Sequence, residues 1–163
     1  MITVRSYEEK DIPQMTEIWN QVVEEGNAFP GEECYDEVGM SRFLKEQSSA
    51  VCAVEDGQIV GMYILHPNNI GRCGHIANAS YAVNRAARGK GVGELLVRHC
   101  LRETYRCGFR GLQFNAVVEC NYAANHLYQK LGFTRIGMVP NGYRMKDGSY
   151  QNIILYYHDA VQE

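Results

Sequence analysis

The chain has 163 residues, 45% of them apolar, and a formal net charge of −3. That is enough for one ordinary domain with a complete core, expected to span residues 1–163. The mild negative charge gives no basic footprint for nucleic acid, and no apolar run reaches membrane-spanning length, so a cytoplasmic protein without nucleic-acid or membrane partners is expected.

The elements follow from periodicity and punctuation. Ile2–Arg5 reads as a short strand. Asp11 is placed to cap a helix with Pro13 in its first turn and Gln14 set for a capping-box contact. Met15, Ile18, Trp19, Val22 and Val23 line one face of that helix. Residues 24–37 break the pattern with Gly26, Asn27, Pro30 and Gly31, leaving Phe29 and Tyr35 in a polar loop. Such aromatics either anchor the loop or roof a substrate pocket, and Phe29 is carried as a candidate substrate contact. Met40, Phe43 and Leu44 mark a second helix. Residues 49–54 and 58–66 form a hairpin turned at Asp56-Gly57.

A strand over Ile76–Val83 then runs through a glycine-rich turn into a helix carrying Val92, Leu95, Leu96, Cys100 and Leu101, with Gly108 as its stop. Strand 111–118, helix 121–131 ended by Gly132, and strand 133–138 follow. Residues 140–147 read as a polar loop with Tyr143 and Arg144, and 153–158 as the last strand. The order β-α-α-β-β-β-α-β-α-β-β describes a mixed α/β sheet with helices on both faces.

The turn Arg88-Gly89-Lys90-Gly91-Val92-Gly93 carries the first chemical signal. Glycine lets backbone approach a ligand closely, and the free N–H groups and dipole of a helix start favour an anion. Such a turn flanked by Arg and Lys is suited to phosphate. Gly93 is followed by Glu94 and Leu95 rather than Lys-Ser or Lys-Thr, against a Walker loop, and the GxGxG spacing differs from the dinucleotide fingerprint. Six cysteines (Cys34, Cys52, Cys73, Cys100, Cys107, Cys120) include no CxxC pair, and the N-terminus has no secretory pattern. Reduced thiols and no metal site are expected. The glycosylation triplet Asn78-Ala79-Ser80 is set aside as part of a buried strand.

The turn resembles the (Arg/Gln)-x-x-Gly-x-(Gly/Ala) loop of the GNAT superfamily of N-acetyltransferases, with Arg88, Gly91 and Gly93 in the defining places. A second stretch, NYAANHLYQKLGF, resembles another motif of that family through Asn121, Ala124, Leu127, Tyr128, Leu131, Gly132 and Phe133. The resemblance implies a mostly antiparallel sheet in which strands 76–83 and 112–118 are parallel and splay apart. It implies acetyl-CoA as cosubstrate, its diphosphate on Arg88, Gly89, Lys90, Gly91, Val92 and Gly93, and its acetyl-pantetheine arm in the V. Backbone donors at a bulge near Tyr81, Ala82 and Val83 would face the thioester oxygen. Tyr128 would protonate the departing sulfur, although its helix face also suits a core aromatic. Asn121 either caps its helix or contacts pantetheine.

Asn78 and Ser80 share one strand face, as do Gln113 and Asn115, and polar residues inside a parallel pair need partners. Asn78 and Asn115 read as pocket residues on that ground. Together with Asn121 they are similar to a narrower group of acetyltransferases that act on the proline analogue azetidine-2-carboxylate. That similarity gives Asn78 the substrate carboxylate, while Asn115 and Asn121 contact acetyl-CoA and align the reaction. Glu119, His75 and His126 are candidate bases, with deprotonation through water as the alternative. Cys120 reads as a structural thiol rather than a nucleophile.

The expected activity is transfer of acetyl to a small amine, an amino acid or proline analogue among the candidates, by direct attack in a ternary complex. A protein N-terminal or lysine acetyltransferase and a CoA-binding sensor without turnover are the alternatives. A homodimer through the last strands and the 140–147 loop is compatible with the pattern.

Overall fold

The computed structural model describes residues Met1–Glu163. In chain order the elements are β1 Ile2–Ser6, α1 Ile12–Glu25, α2 Glu37–Lys45, β2 Ser49–Glu55, β3 Gln58–Pro67, β4 Ile76–Val83, α3 Val92–Arg106, β5 Gly111–Val118, α4 Tyr122–Lys130, β6 Thr134–Arg144 and β7 Tyr150–Asp159. The seven strands form one sheet in the order β1-β2-β3-β4-β5-β7-β6. Only β4 and β5 run parallel; every other neighbouring pair is antiparallel.

Strand alternation feeds a core on each face. Met62 and Ile64 of β3 point toward α1 and α2 and pack with Met15, Ile18, Trp19 and Leu44. Their neighbours Tyr63 and Leu65 point the other way, toward Leu96, Val97 and Cys100 of α3. A strand covered on both sides has no polar face, which is why β3 is almost continuously buried.

Several local expectations are corrected. Asp11 does not cap α1 with its side chain. It is buried, and it accepts from Arg5 Nη1 at 2.7 Å, Arg5 Nη2 at 3.1 Å and the Glu8 N–H at 2.7 Å. Gln14 reaches the sheet instead of its own helix end, accepting from the Ile59 N–H at 2.8 Å. The loop expected from residue 140 is largely strand, because β6 continues to Arg144 through a register shift between Val139 and Tyr143. A bulge on an edge strand tolerates Pro140, whose missing N–H removes no ladder bond there, and Asn141 takes φ 54 within it.

Candidate active site

The site is created by a parting of strands. β4 and β5 pair only at Ile76↔Gly111 and Ala77↔Leu112. Just beyond, the Asn78 side chain crosses the gap and donates from Nδ2 to the Gln113 carbonyl at 2.9 Å. The Asn84 N–H donates to the Val60 carbonyl, which assigns the even-numbered amides of β4 to β3. By alternation the amides of Ala79, Tyr81 and Val83 turn toward the gap, past the end of the β4–β5 ladder.

The β3–β4 register runs unbroken from Gly61↔Val83 to Pro67↔Ala77, so the expected bulge at Tyr81–Val83 is absent. Divergence of β5 frees the amides instead. The bulge lies on β5, where the pairing with β7 shifts between Phe114 and Val117.

A cavity of about 470 Å³ fills the gap and runs through the sheet from one face to the other. On the α1 side it is lined by Ala28, Phe29, Pro30, Asn78, Ser80 and Asn115. On the α3 side it is lined by Ala87, Arg88, Gly89, Gly91, Val92, Gly93, Val97, Ala124, Leu127 and Tyr128. Ala79, Tyr81, Val83, Phe114, Ala116, Val117, Val118, Asn121 and Ala123 complete the wall. Two expected contacts stand elsewhere. Ala82 is buried against α1 and its amide belongs to β3. Lys90 is directed at Glu55, with Nζ 3.9 Å from Oε1, and does not line the cavity.

The glycine turn is shaped as its composition requires. Gly89 and Gly91 both have φ 82, a left-handed conformation that costs a side-chain-bearing residue about 1–2 kcal/mol. Gly91 is the N-cap of α3, and the first helical return bond runs from the Leu95 N–H to its carbonyl at 3.2 Å. The N–H groups of Val92, Gly93 and Glu94 therefore have no partner within the helix, and they present a positive dipole end to the cavity mouth. Arg88 is bound to Glu25 through two hydrogen bonds. The geometry fits a diphosphate held chiefly by backbone.

Tyr128 is buried on α4, its ring 4.6 Å from Phe114, 5.4 Å from Phe133 and 5.6 Å from Tyr156. It is both core aromatic and cavity wall. Burial, reinforced by Cys100 and Tyr156, pushes its hydroxyl well above the ordinary tyrosine range, so it keeps its proton at neutral pH. The Tyr81 hydroxyl is also pushed up by burial, and it is enclosed without a hydrogen-bond partner on the α3 side.

Phe29 does both things open to it. It stacks on Trp19 at 4.3 Å, its carbonyl accepts from the Tyr143 hydroxyl at 2.8 Å, and it lines the cavity. Tyr35 only anchors, clamped by Asn20 through 2.8 and 2.9 Å bonds and stacked on Phe43. Asn121 caps α4, accepting from the Ala124 N–H at 3.3 Å, while also facing the cavity.

Nothing in the sequence singles out Asn125. Its Nδ2 donates to the carbonyls of Val118, Glu119 and Asn121, tying the end of β5 to α4, and its Oδ1 accepts from the Tyr156 hydroxyl at 2.7 Å. Glu119, His75, His126 and Cys120 stand outside the lining, and no carboxylate or imidazole enters it. No group of three or more His, Cys, Asp or Glu could hold a metal ion. All six thiols are free, and no helix is long and apolar enough to cross a membrane.

A sheet opened between its two parallel strands, with a glycine-lined helix start on one side and a buried tyrosine beside the gap, defines a class of acyl-group transferases. Residues 12–133 match the acetyltransferase (GNAT) family. The chain belongs to that family, which is a family of enzymes. It is 34% identical to N-acetyltransferase aca1 of Schizosaccharomyces pombe over 102 residues, 61% of this chain and 49% of the relative. It thus spans about half the length of that protein. A GCN5-related N-acetyltransferase from Kribbella flavida is 34% identical and superposes with a TM-score of 0.88 over 97% of both chains. The structure of yncA from Salmonella typhimurium with its cofactor acetyl-CoA shares the fold, with a TM-score of 0.91 and 21% identity over 99% of this chain and 95% of that one.

Proposed function

We propose that the chain is an acetyl-CoA-dependent N-acetyltransferase acting on a small amine. The observation that carries this is the through-sheet cavity, with unpaired α3 amides on one side and the half-buried polar side chains of Asn78 and Ser80 on the other. Bound acetyl-CoA would supply a thioester as acyl donor. The amides of Val92, Gly93 and Glu94 hold the diphosphate, and Arg88 stands beside it. The gap-facing amides of Tyr81 and Val83 are placed to donate to the thioester oxygen. Tyr128 holds the proton that the departing sulfur takes up.

The acceptor enters from the α1 side, beneath Phe29 and Pro30, with Asn78 and Asn115 at the wall and Asn121 on the donor arm. No side-chain base lines the cavity, so the amine loses its proton to water. Two substrates held in one gap supply the larger part of the rate. Amino acids and proline analogues are the first acceptors to test, because Asn78 keeps Oδ1 and one N–H free for a polar ligand.

The chain is read as a cytoplasmic domain covering residues 1–163, with its thiols reduced. A homodimer is supported by edge strand β6, which leaves Ile136, Met138 and Val139 exposed. The test is thiol release from acetyl-CoA with a panel of amino acids, small amines and peptides. Turnover on amino acids or small amines is expected. Turnover on peptides alone would make the chain a protein acetyltransferase, and binding without turnover would make it a sensor.

A further inference from the structure

One wall of the cavity is held less well than the other. Beyond Leu112, β5 has no ladder to β4, and at Asn115 and Ala116 the bulge removes its pairing with β7 as well. Both residues nonetheless line the cavity. Backbone without a ladder on either side drifts unless side chains fix it.

Such a fixing contact comes from a residue 47 positions away in sequence. Asn68 follows β3, and its backbone is anchored where its N–H donates to the Ile76 carbonyl at 2.8 Å. Its Oδ1 accepts from Asn115 Nδ2 at 2.5 Å, and the other end of the Asn115 amide, Oδ1, accepts from Gln113 Nε2 at 3.0 Å. The carbonyl of Gln113 in turn accepts from Asn78 Nδ2. The chain of amides thus spans the gap from the β3 turn to β5 and back to β4.

We propose that Asn68 is a positioning residue for acetyl transfer. It braces the unladdered Asn115–Ala116 wall and fixes how Asn115 faces the bound substrates. Asn68 does not line the cavity itself and acts only through Asn115. The consequence for turnover rests on the proposed activity; the brace does not.

The test compares wild type with Asn68→Leu, Asn68→Asp, Asn115→Ala and the Leu/Ala double variant. The Asp variant keeps an acceptor oxygen for Asn115 Nδ2, and Leu removes it. Hydrogen exchange followed by mass spectrometry is expected to show the amides of Phe114–Val117 exchanging about tenfold faster in Asn68→Leu, restored in Asn68→Asp, with β4 unchanged. Turnover with the fastest acceptor of the amine panel is expected to fall about tenfold in Asn68→Leu with the acetyl-CoA KM unchanged, and the double variant to be no slower than Asn115→Ala. Unchanged exchange in Asn68→Leu overturns the brace. Faster exchange with normal turnover, or additive losses in the double variant, overturns the positioning role. A wild type that turns over no amine defeats the proposed activity alone, and the exchange arm then still judges the brace.

Discussion

Arg88 and Glu25 face each other through two hydrogen bonds, Nη1 to Oε2 at 2.6 Å and Nη2 to Oε1 at 2.5 Å. The pair ties the start of the glycine turn to the last residue of α1, immediately before the loop that carries Phe29 to the cavity. It also compensates the guanidinium, so a diphosphate at this turn depends mainly on backbone N–H groups. Glu25→Gln removes a nearby negative charge and is expected to tighten acetyl-CoA about two- to threefold at low salt, the gain fading at high salt. Calorimetric titration at two ionic strengths checks this; weaker binding in the variant would mean that Glu25 aims Arg88 at the ligand.

The glycines of the turn differ in what they tolerate. Gly91 has φ 82, so Gly91→Ala forces the helix start to rearrange or carry strain of about 1–2 kcal/mol. Acetyl-CoA affinity is expected to fall about tenfold or more. Gly93 has no left-handed φ, and a Cβ there meets only Leu127 Cδ2, at 3.7 Å. Gly93→Ala is expected to fold with near wild-type stability and to retain binding. Kd values and melting temperatures for the two variants, measured side by side, decide it.

Tyr128→Phe deletes a hydroxyl that makes no hydrogen bond within the protein while leaving the ring stack intact. A fall in kcat of about 10²-fold is expected with the acetyl-CoA Kd and the melting temperature nearly unchanged. Because burial holds the proton on this oxygen, wild-type turnover should show no loss from Tyr128 ionisation through the ordinary tyrosine range near about pH 10. Equal turnover by Phe and Tyr would assign the sulfur's proton to water.

Asp11 gives the fold an acid-sensitive joint. The Arg5 hydrogen bonds, opposed by burial and aided by the Glu8 N–H, hold its carboxyl below the usual carboxylate range. A depressed carboxylate contributes stability that is present above the unfolded-state pKa and is lost as pH falls through the folded one. Asp11→Ala is expected to cost about 2–4 kcal/mol at pH 7, since it strands the partly buried Arg5, and much less at acid pH where the wild type has already lost the contribution. Denaturant titrations at both pH values test the difference; an equal loss at both would point to packing instead.

Much of the cavity's lining was legible because its signals are local. Arg88 to Gly93 and the Asn121–Phe133 stretch each pack a turn and a helix start into a few residues, so spacing alone conveys the geometry. Asn78 and Asn115 announced themselves as amides where a buried strand calls for apolar side chains. Long-range pairing was not legible. The partners Asn68–Asn115, Tyr143–Phe29 and Arg88–Glu25 lie 47, 114 and 63 positions apart, and no periodicity links them. The bulge was expected on β4 and lies on β5, because either strand can diverge to open the same gap. Pro140 and Gly142 read as loop residues, and only the edge position of β6, which sequence does not reveal, lets a strand carry them.

Calorimetry with acetyl-CoA and with S-acetylpantetheine, which lacks the diphosphate and the 3′-phosphoadenosine, measures how much of the binding lies outside the thioester arm. Measurable heat and tight binding are expected for acetyl-CoA, and binding weaker by about 10²-fold or more for the truncated thioester. Equal affinities, or no heat with acetyl-CoA on folded protein, would contradict the proposed acetyl-CoA site.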